Sequence, residues 1–288
     1  MGLAAGPAPL RKIVTAFSVA AISGVALSSG CASAAPSPLT RTDYATVPAF
    51  TNDYSYWSEQ VKSSTRVLYE SDPAGQRGVV QRIEVQSGDT NVFGSGTGER
   101  AEVTAHAVLG GFMDGQTMVL SWSTLIDSGF ESPSGKWNNF VQIHAAGGAA
   151  PSPWQLNLAG ADADFKMRLY GGGDWSSSAT PMGAVEEWLP LGGLSKNQWH
   201  DFVVELRFGC TGKGYAKVWV DGKQVADAQN RRIGYCGDPG MYWKQGFYRS
   251  AYSKTTRLWF DDTLRWGNLT DALAYYGWAT SGQKSPGG

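Results

Sequence analysis

A period-two alternation of apolar and polar residues, closed again and again by turn signals, decides what this chain can become. Residues 79–85 alternate and run into Ser87-Gly88-Asp89. Residues 118–123, 202–208, 215–220, 242–248 and 256–261 repeat the pattern. Successive side chains of an extended strand point to opposite faces, so each window buries one face and wets the other. Asp221-Gly222, between residues 215–220 and 223–225, is a hairpin signal because a tight hairpin turn needs positive φ. No long helical period interrupts the middle of the chain; short helices are expected near residues 54–62 and 271–276. The pattern predicts an all-β fold, a sandwich of two antiparallel sheets with a concave face. The 37 glycines suit its many turns, and the Gly/Ser stretch at 171–180 is long enough to rim a cleft.

Composition narrows the function classes. Of 288 residues, 42% are hydrophobic, which is enough for a core and excludes wholesale disorder. The net charge is −1, so no basic surplus advertises a nucleic-acid partner. Arg11 and Lys12 precede an apolar run, Ile13 to Leu27, that is too short for a membrane span. Ala32-Ser33-Ala34 follows, which completes the order of a secretory signal. We therefore expect a signal over residues 1–35, a single domain over 36–278 and a flexible tail over 279–288, in a secreted monomer. Leu27-Ser28-Ser29-Gly30-Cys31 resembles a lipoprotein box with its leucine one place early, so a cell-surface lipid anchor at Cys31 is the alternative. Cys210 and Cys236 remain, and two cysteines in an exported chain are expected to form a disulfide.

Three segments carry chemistry. In Glu99-Arg100-Ala101-Glu102-Val103, Arg100 and Glu102 share a face, where a carboxylate can fix a guanidinium that still offers N–H groups to a ligand. The plainer reading is a salt bridge on a solvated face. In Phe140-Val141-Gln142-Ile143-His144, Gln142 and His144 share a face opposite Val141 and Ile143. That suits a polar cleft with an imidazole available for proton transfer, or a core histidine satisfied by backbone. In residues 242–248, alternation puts Tyr242, Lys244, Gly246 and Tyr248 on one face, with Gly246 leaving room for a ligand to approach the backbone.

In this order and spacing the three segments resemble those of the jelly-roll polysaccharide lyases. Alginate lyases of this group carry R-x-E-L-R, Q-I-H or Q-V-H, and Y-F-K-x-G-x-Y-x-Q. The matching stretches are Arg100-Ala101-Glu102-Val103, Gln142-Ile143-His144 and residues 242–248. Thr104 stands in place of the second arginine, and Ser250 in place of the closing glutamine. Those departures resemble the branch containing heparin lyase I and glucuronan lyase. So do Arg82-Ile83-Glu84-Val85-Gln86-Ser87-Gly88-Asp89, Ser152-Pro153-Trp154-Gln155-Leu156, and Trp199-His200-Asp201 ahead of Val218-Trp219-Val220-Asp221-Gly222.

The resemblance implies a concanavalin-like β-jelly-roll whose cleft binds an anionic, uronate-containing polysaccharide and cuts it by β-elimination. A base removes the C5 proton and the O4 glycosidic bond leaves. The C5 proton lies beside a carboxylate that is already negative, so that group must be neutralised first. Carried over, Arg100 and Gln142 are the clamp, His144 is base or neutraliser, and Tyr248 donates the proton to O4 and is a candidate for the base too. Lys244, Tyr242, Glu102 and Arg82 are the implied substrate-binding residues. Glucuronan ranks first as substrate, alginate second and heparin-like chains third.

No cofactor is expected to be required. Asp261-Asp262 are a candidate for a structural calcium ion, against the plainer reading of a solvated turn. His106 and His200 read as structural. A non-catalytic carbohydrate-binding module, or a sandwich-fold glycoside hydrolase, is the alternative function. The hydrolase would need two carboxylates flanking the scissile bond, and Glu186-Glu187 point to opposite faces if extended.

Overall fold

Every alternating window becomes a strand, and the turn signals fall where strands end. The computed structural model describes residues 37–38, 40–41, 58–93, 95–104, 112–132, 135–146, 150–160, 163–176 and 180–278. The chain divides into two units, Met1–Ala34 and Ala35–Gly288, and all described residues belong to the second. The expected signal, Cys31, His106 and the tail lie outside the described residues.

In chain order the strands are β1 (Thr40–Arg41), β2 (Ser58–Val61), β3 (Val67–Ser71), β4 (Val79–Val85), β5 (Glu99–Thr104), β6 (Thr117–Ile126), β7 (Asn138–His144) and β8 (Trp154–Ala159). There follow β9 (Asp164–Asp174), β10 (Val185–Gly193), β11 (Trp199–Arg207), β12 (Gly209–Val220), β13 (Lys223–Cys236), β14 (Tyr242–Arg249) and β15 (Thr256–Trp266), then helix α1 (Leu269–Tyr275). One layer runs β2-β5-β14-β7-β8-β9, with β10 on the free edge of β9. The other runs β12-β11-β6-β15-β4-β3. β13 joins them: its first part pairs with β12, and Gly234 and Cys236 pair with β9, parallel where the other pairings are antiparallel. The result is a jelly-roll sandwich, as the alternation predicts.

Apolar faces meet between the layers. Trp122 of β6 stacks on Phe202 of β11 at 4.8 Å and meets Trp243 of β14 edge-on at 5.0 Å. Such ring pairs add to the stabilisation from burial. A smaller cluster lies against α1, where Leu273 packs with Trp219, Trp266 and Trp278. Asn268 caps α1 by accepting from the Asp271 N–H, so the helix expected near residues 271–276 begins two residues earlier, at Leu269.

Two expectations change. The described part of residues 54–62 is strand β2, because its backbone pairs with the edge of β5 from Ser58↔Thr104 to Val61↔Ala101. Sheet pairing overrides a weak local helical preference there. The 171–180 loop begins later than expected, since Gly171–Gly173 and Asp174 continue β9. A Cβ at Gly171 would lie 2.7 Å from the Gly234 backbone, so glycine permits β9 and β13 to approach.

Candidate active site

The site follows from three adjacent strands held in register. β14 lies between β5 and β7, pairing Tyr248 with Arg100, Gly246 with Glu102, Lys244 with Thr104 and Gln142, and Tyr242 with His144. Residues two apart share a face, so these side chains rise from one surface. A bulge in β7 makes this possible: Phe140 and Val141 both turn into the core, which returns Asn139, Gln142 and His144 to the cleft. The cleft has a volume of about 490 Å3, and Arg100, Gln142, His144, Tyr242, Lys244 and Tyr248 all line it.

Beneath the floor, one carboxylate organises the polar groups. Glu102 Oε2 lies 2.6 Å from Lys244 Nζ and 3.1 Å from Arg100 Nε. Glu102 Oε1 accepts from Gln142 Nε2, and Gln142 Oε1 accepts from the Ser152 hydroxyl. Burial pushes the Glu102 carboxyl up, but Lys244 and Arg100 outweigh it and hold the group below the usual range. Burial brings Lys244 down to about 8, against the pull of Glu102. Arg100 is held further by the carbonyls of Phe93 at 3.1 Å and Val92 at 3.4 Å, and by Gln60 Oε1 at 3.4 Å. Two cations share one anion here, so the floor carries a net positive charge suited to an anionic ligand. Glu102 itself is 2% exposed and holds the clamp from below, so it is a positioning group rather than the substrate contact the sequence suggested.

The two tyrosines divide the cleft. Tyr248 lies against the Arg100 guanidinium, 4.1 Å from Cζ to ring centre, and edge-on to Trp137 at 4.4 Å. Gly98 gives both rings their room, since a Cβ there would lie 2.8 Å from Tyr248 and 3.0 Å from Trp137. Tyr242 stacks on His144 at 5.4 Å. Burial pushes the Tyr242 phenol up to about 12, so it stays protonated at neutral pH. Burial, aided by Lys244, brings His144 down to about 4. His144 Nδ1 lies 2.8 Å from the Ala145 carbonyl, which can only accept. The proton therefore sits on Nδ1, and Nε2 keeps its lone pair.

Arg82 does not join this group. It lies on β4, in the opposite layer, where its guanidinium is 3.8 Å from Glu84 and 3.9 Å from Glu70 and donates to the Thr65 carbonyl. Gly246 leaves no gap for a ligand either. Its φ is +122°, and a Cβ would run into the Ala101 carbonyl and lie 2.9 Å from Glu102 Cα, so it serves the approach of β5 and β14. Asp261 and Asp262 surround Arg77 at 3.0 and 3.4 Å, and Asp201 holds the same guanidinium at 2.8 Å. A cation of the chain itself, the Arg77 guanidinium, therefore already sits among these acids. Among the described residues no cluster of His, Cys, Asp or Glu is arranged to hold a metal. His200 is a fold contact, with Nδ1 2.6 Å from Asp221 and Nε2 2.9 Å from the Ser195 carbonyl. Cys210 and Cys236 are joined by a disulfide.

Sequence reasoning missed Asn139, Gln155 and Arg168. Gln155 and Asn139 exchange reciprocal amide hydrogen bonds, and Arg168 Nη1 donates to Gln155 Oε1 at 3.4 Å. Arg168 was legible only as one polar residue in Lys166-Met167-Arg168-Leu169-Tyr170, an alternating run of its own.

Comparison with known proteins places the chain in a family. The family described as Polysaccharide lyase matches residues 49–264. No curated protein matches the chain in sequence. Among solved structures, an endo-β-1,4-glucuronan lyase from the fungus Trichoderma reesei superposes with a TM-score of 0.59 at 16% identity, covering 71% of this chain and 88% of its own. The alginate lyase Aly36B superposes with a TM-score of 0.51 at 15% identity, covering 81% of this chain and 98% of its own. At these identities the likeness is one of fold.

Proposed function

The chain belongs to the polysaccharide lyase family and is a carbon–oxygen lyase acting on polysaccharides; from that premise we propose that it cleaves an unsulfated uronate polymer, glucuronan first and alginate second, by β-elimination outside the cell. The observation that carries the reading is the fixing of Arg100 and Gln142 by one buried carboxylate, Glu102, on the cleft face that also bears His144 and both tyrosines. Neighbours named for glucuronan and alginate are in keeping with it. The disulfide suits an oxidising compartment, and no helix among the described residues is long and apolar enough to cross a membrane.

The chemistry follows from charge. Taking the C5 proton pushes a second negative charge into the uronate carboxylate. Arg100 and the second N–H of the Gln142 amide receive that carboxylate, and their hydrogen bonds strengthen as the enolate forms. Losing one such donor costs about 10²–10³ in rate. His144 Nε2 accepts the C5 proton, the C5–H electrons form the C4–C5 double bond, and the C4–O4 bond breaks. Tyr248 gives its phenolic proton to O4, so no water is consumed. Tyr242 is the second candidate for that donor, favoured by its stacking on His144, although its raised pKa makes it the weaker acid. Register sets Tyr248 opposite Asn139 and Tyr242 opposite His144, and all four line the same cleft.

A hydrolase finds less support. Glu186 and Glu187 are engaged by Arg168 and Arg231 and face opposite ways on β10. The test is to offer glucuronan, alginate, hyaluronan and heparin and follow ultraviolet absorption of the new double bond. Absorption rising on glucuronan or alginate is expected. New reducing ends without absorption would mean hydrolysis, and binding without cleavage would mean a binding module. Tyr248→Phe and Tyr242→Phe then identify the donor: the variant that abolishes turnover while keeping substrate affinity removed it.

A further inference from the structure

The sheet register extends the cleft beyond the groups that perform the chemistry. Lys244 pairs with Gln142, Gln142 with Gln155, Gln155 with Arg168, and Arg168 with Trp188. At about 4.8 Å per strand, this row runs roughly 19 Å across the layer from β14 to the edge strand β10. It ends in a second hollow of about 360 Å3, continuous with the first through Asn139, Gln155, Arg168 and Tyr248. Trp137 and Trp188 form its apolar walls and are 38% and 39% exposed, among the largest apolar groups open to solvent.

The cations are held ready beside those rings. Arg168 Nε lies 2.7 Å from Glu186 Oε1, and the Trp188 indole N–H donates to the same oxygen at 2.7 Å. Lys166 Nζ lies 4.7 Å from the Trp188 ring centre, and Arg168 Cζ lies 5.7 Å from it. Arg168 and Glu186 are the charged groups of the hollow's lining, and Lys166, against the Trp188 ring, adds a second cation beside it. A flat apolar ring next to a fixed guanidinium matches one kind of ligand, a sugar whose C–H face covers the ring while its carboxylate meets the cation.

We propose that Trp188, Arg168 and Trp137 form a second uronate subsite, which holds another residue of the same polymer beyond Tyr248. The assignment rests on the proposed uronate-lyase activity and deepens it: the enzyme grips its chain across the β8–β10 side of the cleft, so long chains bind better than short ones. Binding far from the reacting carbon acts on ground and transition states alike, and therefore appears in KM rather than kcat.

The test uses the full chain with Trp188→Ala and, separately, Arg168→Gln. Trp188 lies on an edge strand and is partly exposed, so its truncation leaves the core intact. KM is measured on glucuronan or alginate, whichever the parent cleaves, and on the shortest oligomer of it that is cleaved. Each variant should raise KM for the polymer by about tenfold or more, while in Trp188→Ala, whose position does not line the first cleft, KM for the short oligomer moves less than twofold. A polymer KM within twofold of the parent, or an equal rise on both lengths in Trp188→Ala, overturns the subsite. Electrophoresis through a gel containing the same polymers reads binding without turnover. The parent should be retarded and Trp188→Ala should run faster; equal mobility overturns the subsite. If the parent releases no unsaturated product from any uronate polymer, the lyase assignment has failed, and the gel alone then decides the subsite.

Discussion

Lys244 Nζ and Glu102 Oε2 meet 2.6 Å apart beneath the cleft floor, with both side chains at 2% exposure or less. Neither charge is reached by bulk water, so each depends on the other. Removing one partner of a buried pair typically costs about 3–5 kcal/mol, because the remaining charge is left uncompensated. Glu102→Gln leaves Arg100 and Lys244 side by side without their anion. We expect a loss of stability of that order and a fall in kcat/KM of more than about 10². Adding Lys244→Met should recover much of the stability without restoring the rate. Thermal unfolding and initial rates of the single and double variants check this.

His144 predicts the acid side of the pH profile. Its pKa in the folded chain is about 4, below the ordinary 6.5, because burial and Lys244 disfavour the imidazolium. Between those values the unfolded chain binds the extra proton, so stability is fully present above pH 6.5 and falls as pH drops toward 4. As a base, His144 stays unprotonated through the same window, so kcat/KM should hold down to about pH 4. Lys244, at about 8, sets the alkaline limb, where losing its proton frees Glu102. Rates across about pH 3.5–9.5 read both limbs; an acid limb near 6.5 would mean that His144 titrates as an ordinary imidazole and would contradict the lowering by burial.

Gly246 is fixed by backbone geometry. At φ +122° with β5 against it, an added Cβ meets the Ala101 carbonyl and the Glu102 backbone. Gly246→Ala should cost about 1–3 kcal/mol or more and lower kcat by displacing Glu102. Chemical denaturation with parallel rate measurements checks both effects.

The Cys210–Cys236 disulfide closes a loop of 26 residues' separation. In the chain-entropy model such a link contributes roughly 3 kcal/mol. For a domain of ~250 residues that corresponds to a melting temperature about 6–12 °C lower in Cys210→Ser/Cys236→Ser. Calorimetry of the double variant against the parent decides it.

What could be read in the sequence was periodic or adjacent. Gln142 and His144 share a face because they are two apart, and Arg100 and Glu102 do for the same reason. What could not be read was relative placement. Arg82 sits in a familiar motif, but only folding assigns β4 to the layer opposite the cleft. Arg77 and Asp261 are 184 positions apart, so nothing local shows that a guanidinium occupies the place suggested for calcium. Arg168 enters the cleft through the pairing of β8 with β9, and a bulge at Phe140 aims Asn139 there. Long-range pairing and irregular register leave no period to detect.

The source of the product's atoms tests the lyase assignment most directly. Glucuronan or alginate is digested in water labelled with heavy oxygen, and the oligomers are weighed by mass spectrometry. β-elimination predicts new non-reducing ends lighter than the saturated sugar by one water, with no label incorporated during cleavage. Saturated ends, with heavy oxygen entering at each broken linkage, would contradict the account.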